Sequence, residues 1–206
     1  MTIEFDLGIV PISPRTGTEP IMGADGPTGA TLADFWSWSS SDLLGNSLRG
    51  VFAEYLVGRA LGCVDGAARR EWDAVDLATV DGLRVEVKTG AYLQTWPQTG
   101  PSVIKFDVAR KKSWDYSTNT SAQIASRGAD VYVFCVFTAR DQPQAVRDDL
   151  TLDTSYWDFY IARTARLDTV LGDQQTITLS ALVSRVQPQK ATYEQLKAAI
   201  LRAADH

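Results

Sequence analysis

Asp76 and Glu86, with Lys88 two residues beyond, are the side chains of this sequence whose types and spacing could do chemistry. Two carboxylates brought together repel unless a positive charge lies between them, and a divalent cation is the natural occupant. The rest of the inventory points the same way. The only histidine is the last residue, His206, which leaves no Ser-His or Cys-His centre and no histidine-ligated zinc site. Cys63 and Cys135 are far apart and form no CxxC motif, so a zinc ribbon and a disulfide scaffold also lack their residues. Carboxylate, lysine, hydroxyl and amide remain, a set that suits Mg²⁺ or Mn²⁺.

A β-hairpin must position these groups. Residues 72–79 and 83–88 flank Val80-Asp81-Gly82, which suits a three-residue loop with glycine at the left-handed position. That loop pairs Leu77 with Val85 and sets Asp76 opposite Glu86, with Lys88 on the same face and Val85 and Val87 turned to the core. A two-residue loop would flip the parity and bring Asp73 to that face instead. On an exposed strand the same residues would be only a charge pattern of Glu86 with Arg84 or Lys88. Ahead of the hairpin, Leu48, Val51, Phe52, Tyr55, Leu56 and Leu61 recur at helical spacing. Asn46 or Ser47 is the expected N-cap and Gly62 the stop. Glu54 lies on this helix between Gly50 and Gly58, in a notch another element could approach.

The helix with Glu54, Asp76 on one strand and Glu86-Val87-Lys88 on the next resemble the PD-(D/E)xK nuclease superfamily over roughly residues 47–96. One departure is Val75, where many members carry proline. The resemblance implies an α/β fold bordering on α+β, with a restriction-endonuclease-like central mixed sheet flanked by helices. It also implies Mg²⁺ (or Mn²⁺) held by Asp76, Glu86 and the Val87 carbonyl, with Asp73 as the alternative ligand. Lys88 would orient or deprotonate water or offset phosphate charge, and Glu54 would be the helix glutamate. Gln94 could touch the scissile phosphate and Trp96 could stack on an unpaired base; their ordinary alternatives are a surface amide and a core aromatic. The implied activity is Mg²⁺-dependent phosphodiester hydrolysis of DNA.

Net charge is −5, which argues against binding nucleic acid by bulk electrostatics. Only 105–112 is locally basic, and Lys105, Lys111 and Lys112 are the candidates for phosphate contact, though such a run is usually a solvated face. An acidic chain with a nuclease-like site also fits two alternatives: a non-catalytic binding or scaffold module, or a nuclease subunit that needs a protein partner or a homodimer for DNA affinity. Apolar residues at 45% and charged residues at 22% describe a folding chain. Residues 1–30, with four prolines among glycines, read as an extended arm or loop, and 31–206 as one domain. Further strands are expected at 102–108, 131–137 and 158–163, a helical or irregular stretch at 109–127, and a helix over 193–203. With no long apolar run and no signal-like N-terminus, the sequence reads as soluble and cytoplasmic.

Overall fold

The computed structural model describes residues 10–69, 74–112, 114–115 and 120–205. Part of the expected arm is structured: β1 (Pro20–Gly23) and β2 (Gly26–Thr31) form an antiparallel hairpin. Gly26, at φ 128°, supplies the backbone conformation its turn requires. A capping box, in which Thr31 and Asp34 bond each other's backbone N–H, then starts α1 (Leu32–Ser40). None of the residues of α1 is buried.

The amphipathic pattern becomes α2 (Asn46–Leu61), which buries Ala53, Leu56, Val57 and Leu61. Its N-cap is Gly45 rather than Asn46 or Ser47, because the Asn46 side chain accepts a hydrogen bond from the Arg49 guanidinium. Gly62, at φ 76°, ends the helix as expected. The hairpin follows as β3 (Leu77–Ala78) and β4 (Arg84–Ala91), in the register Leu77 opposite Val85. The loop spans three residues, with Gly82 at φ 85° and the Thr79 N–H donating to the Leu83 carbonyl at 3.0 Å. β3 is much shorter than the expected 72–79, and Asp73 lies outside the described residues.

Beyond it come β5 (Lys105–Asp107), β6 (Trp114–Asp115), β7 (Thr120–Ser121) and β8 (Val131–Phe137). The described residues of the 109–127 stretch are irregular apart from the short pair β6 and β7 and one isolated bridge. The chain continues through α3 (Gln142–Arg147), β9 (Trp157–Arg163), α4 (Thr164–Leu171), β10 (Thr176–Thr178), α5 (Leu179–Ala181), β11 (Gln189–Ala191) and α6 (Tyr193–Asp205).

The main sheet has the order β11-β9-β8-β4-β3, with β4 and β8 parallel and the other neighbours antiparallel. Every residue of β8 is buried because both faces of this central strand are covered. On one face Val85, Val87, Val133 and Phe159 pack with α2 and α6. On the other, Phe134, Val136 and Ala162 pack with Phe106 of β5, Ile177 of β10 and Leu167 of α4. The fold is mixed α/β, with helices on both sides of a mixed sheet. Among the described residues no helix is long and apolar enough to cross a membrane.

Gly90 sets how closely the segment leading into β5 lies on β4. A Cβ there would stand 2.5 Å from Ile104 Cγ2 and 3.3 Å from Phe106 Cε1. Gly90→Ala is therefore expected to cost about 1–3 kcal/mol by overpacking. Thermal denaturation should show it as a melting point lower by about 2–4 °C per kcal/mol, and an unchanged melting point would contradict this close approach.

Candidate active site

The site begins where β3 stops. Beyond Leu77 the ladder has no further backbone acceptor, and the Asp76 carboxylate takes its place: Oδ2 accepts the Val87 N–H at 2.7 Å. This half-buried carboxylate is thereby held at the sheet edge beside Glu86 and Lys88. A strand residue directs its N–H and C=O to the same side, so the Val87 carbonyl faces this edge as well.

Glu86 and Lys88 share the face of β4 away from α2, and their side chains are 18% and 19% exposed. Lys88 Nζ donates to Glu86 Oε1 at 2.5 Å. With Asp107, Lys111 and Tyr132, the β8 neighbour of Glu86, they line a cavity of about 50 Å³. Lys111 is paired with Asp107 at 2.8 Å. Asp76 borders a different cavity, of about 330 Å³, on the α2 side with Glu54 and Arg69. There Arg69 grips Glu54 with two hydrogen bonds of 2.6 and 3.1 Å. The pairing register is the expected one, yet the Asp76 carboxylate does not simply stand on the Glu86 face. It sits at the edge, between the Glu54 cavity and the Glu86 cavity.

Burial governs the electrostatics. It pushes the Asp76 carboxyl above its ordinary range, Glu54 adds repulsion, and the Val87 N–H and Lys88 pull the other way. Glu86 is raised by burial first; Lys88 opposes this and Asp76 adds to it. Burial also raises the Tyr132 hydroxyl, with Glu86 contributing, so it stays protonated at neutral pH. The hard oxygen atoms at this edge that could face a cation are those of Asp76, Glu86 and the Val87 carbonyl, while Asp107 in the Glu86 cavity is paired with Lys111. Among the described residues no group of three or more Asp, Glu, His or Cys side chains is placed to hold a metal ion, so such a site relies on this carbonyl and on water.

Other expected residues lie elsewhere. Gln94 is buried and lines neither cavity; its side-chain amide donates to Ser102 Oγ at 3.3 Å and its backbone N–H donates to Gln98 Oε1 at 2.7 Å. It braces the chain after β4, about six residues past Lys88, too far along the strand to reach the Glu86 cavity. Trp96 is 52% exposed and outside both cavities. Lys105 and Lys112 are exposed, and only Lys111 of the three lysines reaches the cavity. Val64 and Leu77 occupy the side of α2 at Gly58, so the notch beside Glu54 is open only at Gly50. Sequence reasoning missed Arg69, Asp107 and Tyr132. Asp107 was the one acid in the basic run, while Tyr132 was hidden in the apolar VYVFCVF run.

Comparison with protein-family models and with curated proteins finds no match to this chain.

The raised Asp76 pKa gives a signed expectation. The folded state holds this proton more tightly than the unfolded chain, so the stability it contributes is fully present below about pH 3.8 and is lost as pH rises through the raised value. Asp76→Asn keeps an oxygen acceptor for the Val87 N–H and removes the buried charge. In chelator, its melting point should exceed that of the wild type at pH 7, and the gain should vanish below about pH 3.8. A variant less stable than the wild type at pH 7 would show that Asp76 is held more favourably than its burial implies.

Proposed function

We propose that this chain is a Mg²⁺-dependent phosphodiesterase acting on DNA, of the PD-(D/E)xK type that its motif resembles. The supporting observation is the convergence, at the end of β3, of Asp76, Glu86 and Lys88 around the backbone of Val87. The donor chemistry fits the ion: two carboxylates made unfavourable by burial and mutual repulsion, and a backbone oxygen at the same edge. Asp76, Glu86 and the Val87 carbonyl would hold Mg²⁺ or Mn²⁺, which when bound polarises a phosphate and makes water more acidic.

The protein's own groups supply the remainder. Lys88 carries its ammonium beside Glu86, where it offsets phosphate charge and orients water. Tyr132, protonated, offers a hydrogen-bond donor in the lining of the cavity. Glu54 is held by Arg69 and acts through the field it exerts on Asp76, which makes it a positioning residue. Metal binding requires both raised carboxyls to be ionised, so metal affinity should climb with pH through their raised values and level off above them.

A second reading, a nuclease-like subunit that depends on a partner for DNA affinity, is favoured by one observation. Lys88, Lys111 and Arg69 are each paired with a carboxylate, on a chain of net charge −5.

Two measurements test the enzyme. Millimolar Mg²⁺ or Mn²⁺ should raise the melting point of the wild type at pH 7.5 and leave that of Glu86→Ala unmoved. In cleavage assays on supercoiled, linear, branched and single-stranded DNA, Glu86→Ala and Lys88→Ala should each lower the rate by about 10²–10⁴, the several kcal/mol that metal-assisted charge stabilisation supplies. No metal-dependent shift, together with no cleavage of any of the four substrates, would replace the enzyme with the partner-dependent reading.

A further inference from the structure

The face of the main sheet that carries Glu86 and Lys88 has a second recess at its other end. Side chains alternate along β4, so Glu86, Lys88, Gly90 and then Tyr92, just past the strand, point the same way. Tyr92 and Tyr160 of β9, with Val103, Ile104, Arg140 and Ser184, line an open cleft of about 650 Å³. The Arg140 guanidinium lies over the ring of Tyr92, with Cζ 3.8 Å from the ring centroid. Arg140 is exposed, and among the described residues it forms no ion pair. The nearby carboxylate of Asp158 is already balanced by Lys190 at 2.8 Å. The cleft therefore presents a planar cation without an ion-pair partner among the described residues, placed over the ring beneath it.

One segment joins the two recesses. Ser102 to Ile104 line the cleft, and Asp107, Ala109 and Lys111 line the Glu86 cavity. Between them β5 buries Phe106 and turns Lys105 outward. Six residues, roughly 20 Å at the rise of a strand, separate Glu86 from Tyr92. An extended anionic chain lying along β5 would thus meet Arg140, then Lys105, then Lys111.

We propose that the Tyr92–Arg140 cleft binds the unpaired bases and phosphate of a single DNA strand that runs along β5 to the Glu86 cavity, an inference that rests on the phosphodiesterase reading. A guanidinium pinned on an aromatic ring offers its outer face for base stacking and its edge for phosphate, and the pinning lowers the ordering cost of binding. Stacking of this kind requires an unpaired base, since a duplex presents only base edges and phosphates.

The test is fluorescence anisotropy of labelled (dT)12 with the full chain in EDTA, so that binding is read without cleavage. Arg140→Ala and Arg140→Lys should each weaken binding roughly tenfold, because lysine restores the charge but not the flat face. Tyr92→Leu, which keeps bulk beneath Arg140 but no π face, should fall between them and the wild type. Lys105→Ala should weaken binding less and reduce its salt dependence. The same oligonucleotide annealed to its complement should bind more weakly. The inference is overturned if the wild type does not bind (dT)12, if Arg140→Ala and Arg140→Lys bind as the wild type does, if only Arg140→Lys restores affinity in full, or if duplex DNA or a poly-glutamate peptide binds with equal dependence on Arg140. Arg140-dependent binding of (dT)12 by a chain that cleaves nothing with either metal would sustain the cleft and remove the phosphodiesterase. Metal-dependent cleavage that Arg140→Ala leaves unchanged, with unchanged (dT)12 affinity, would do the opposite.

Discussion

The N–H of Val87 is the group around which the candidate site is organised. It belongs to a strand whose Val85, Val87 and Ala91 are buried in the layer shared with α2, and its neighbour β3 ends before reaching it. A backbone donor in that position must be paired, and the Asp76 carboxylate pairs it. One hydrogen bond thereby ends the ladder, fixes an aspartate at the sheet edge, and places it next to Glu86 and Lys88, which alternation has already turned out of the core. Leu77 and Val85 hold the register, because a slip of one residue would send Glu86 into the core and Val87 into the cavity.

Electrostatics at this edge are unfavourable in a specific way. Two carboxylates are raised chiefly by desolvation, and nearby cations only partly offset it. Each of Glu54, Glu86 and Asp107 has its own basic partner, at 2.6, 2.5 and 2.8 Å. Asp76 is instead held by a backbone N–H, so the excess negative charge falls on it. Shifts that arise from burial plus a charged neighbour, in a recess of the surface, are a recurrent mark of functional sites. The two apolar layers on either side of the sheet make such a cluster tolerable, since they stabilise the strands independently of it.

The site also joins the two faces of the sheet. Glu54 and Arg69 approach from the α2 side, whereas Glu86, Lys88, Lys111 and Tyr132 belong to the β5 side. Asp76 is able to serve both because it is at an edge. On the β5 side the close approach at Gly90 seats β5 across the strand, which leaves a recess at each end of it.

How much of this was legible in the sequence follows from the range of the forces involved. Local rules determined α2 and its Gly62 stop, the three-residue loop with Gly82 left-handed, the pairing of Leu77 with Val85, and a fully buried VYVFCVF strand. Each depends on spacing or turn chemistry within a few residues. They sufficed to nominate Asp76, Glu86 and Lys88 and to orient Glu86 and Lys88 away from the core. Tertiary structure alone decided the rest. That β3 stops at Leu77, that Asp76 turns to the Val87 N–H, that Arg69 grips Glu54 and that Asp107 neutralises Lys111 all depend on where separate segments come to lie. Gln94 shows the limit most plainly: a polar residue soon after the motif looks available for chemistry, but the chain after β4 folds over it and its amide is used to brace that fold. Hydrogen-bond partners and desolvation are properties of the packed neighbourhood, and no pattern within a single segment encodes them.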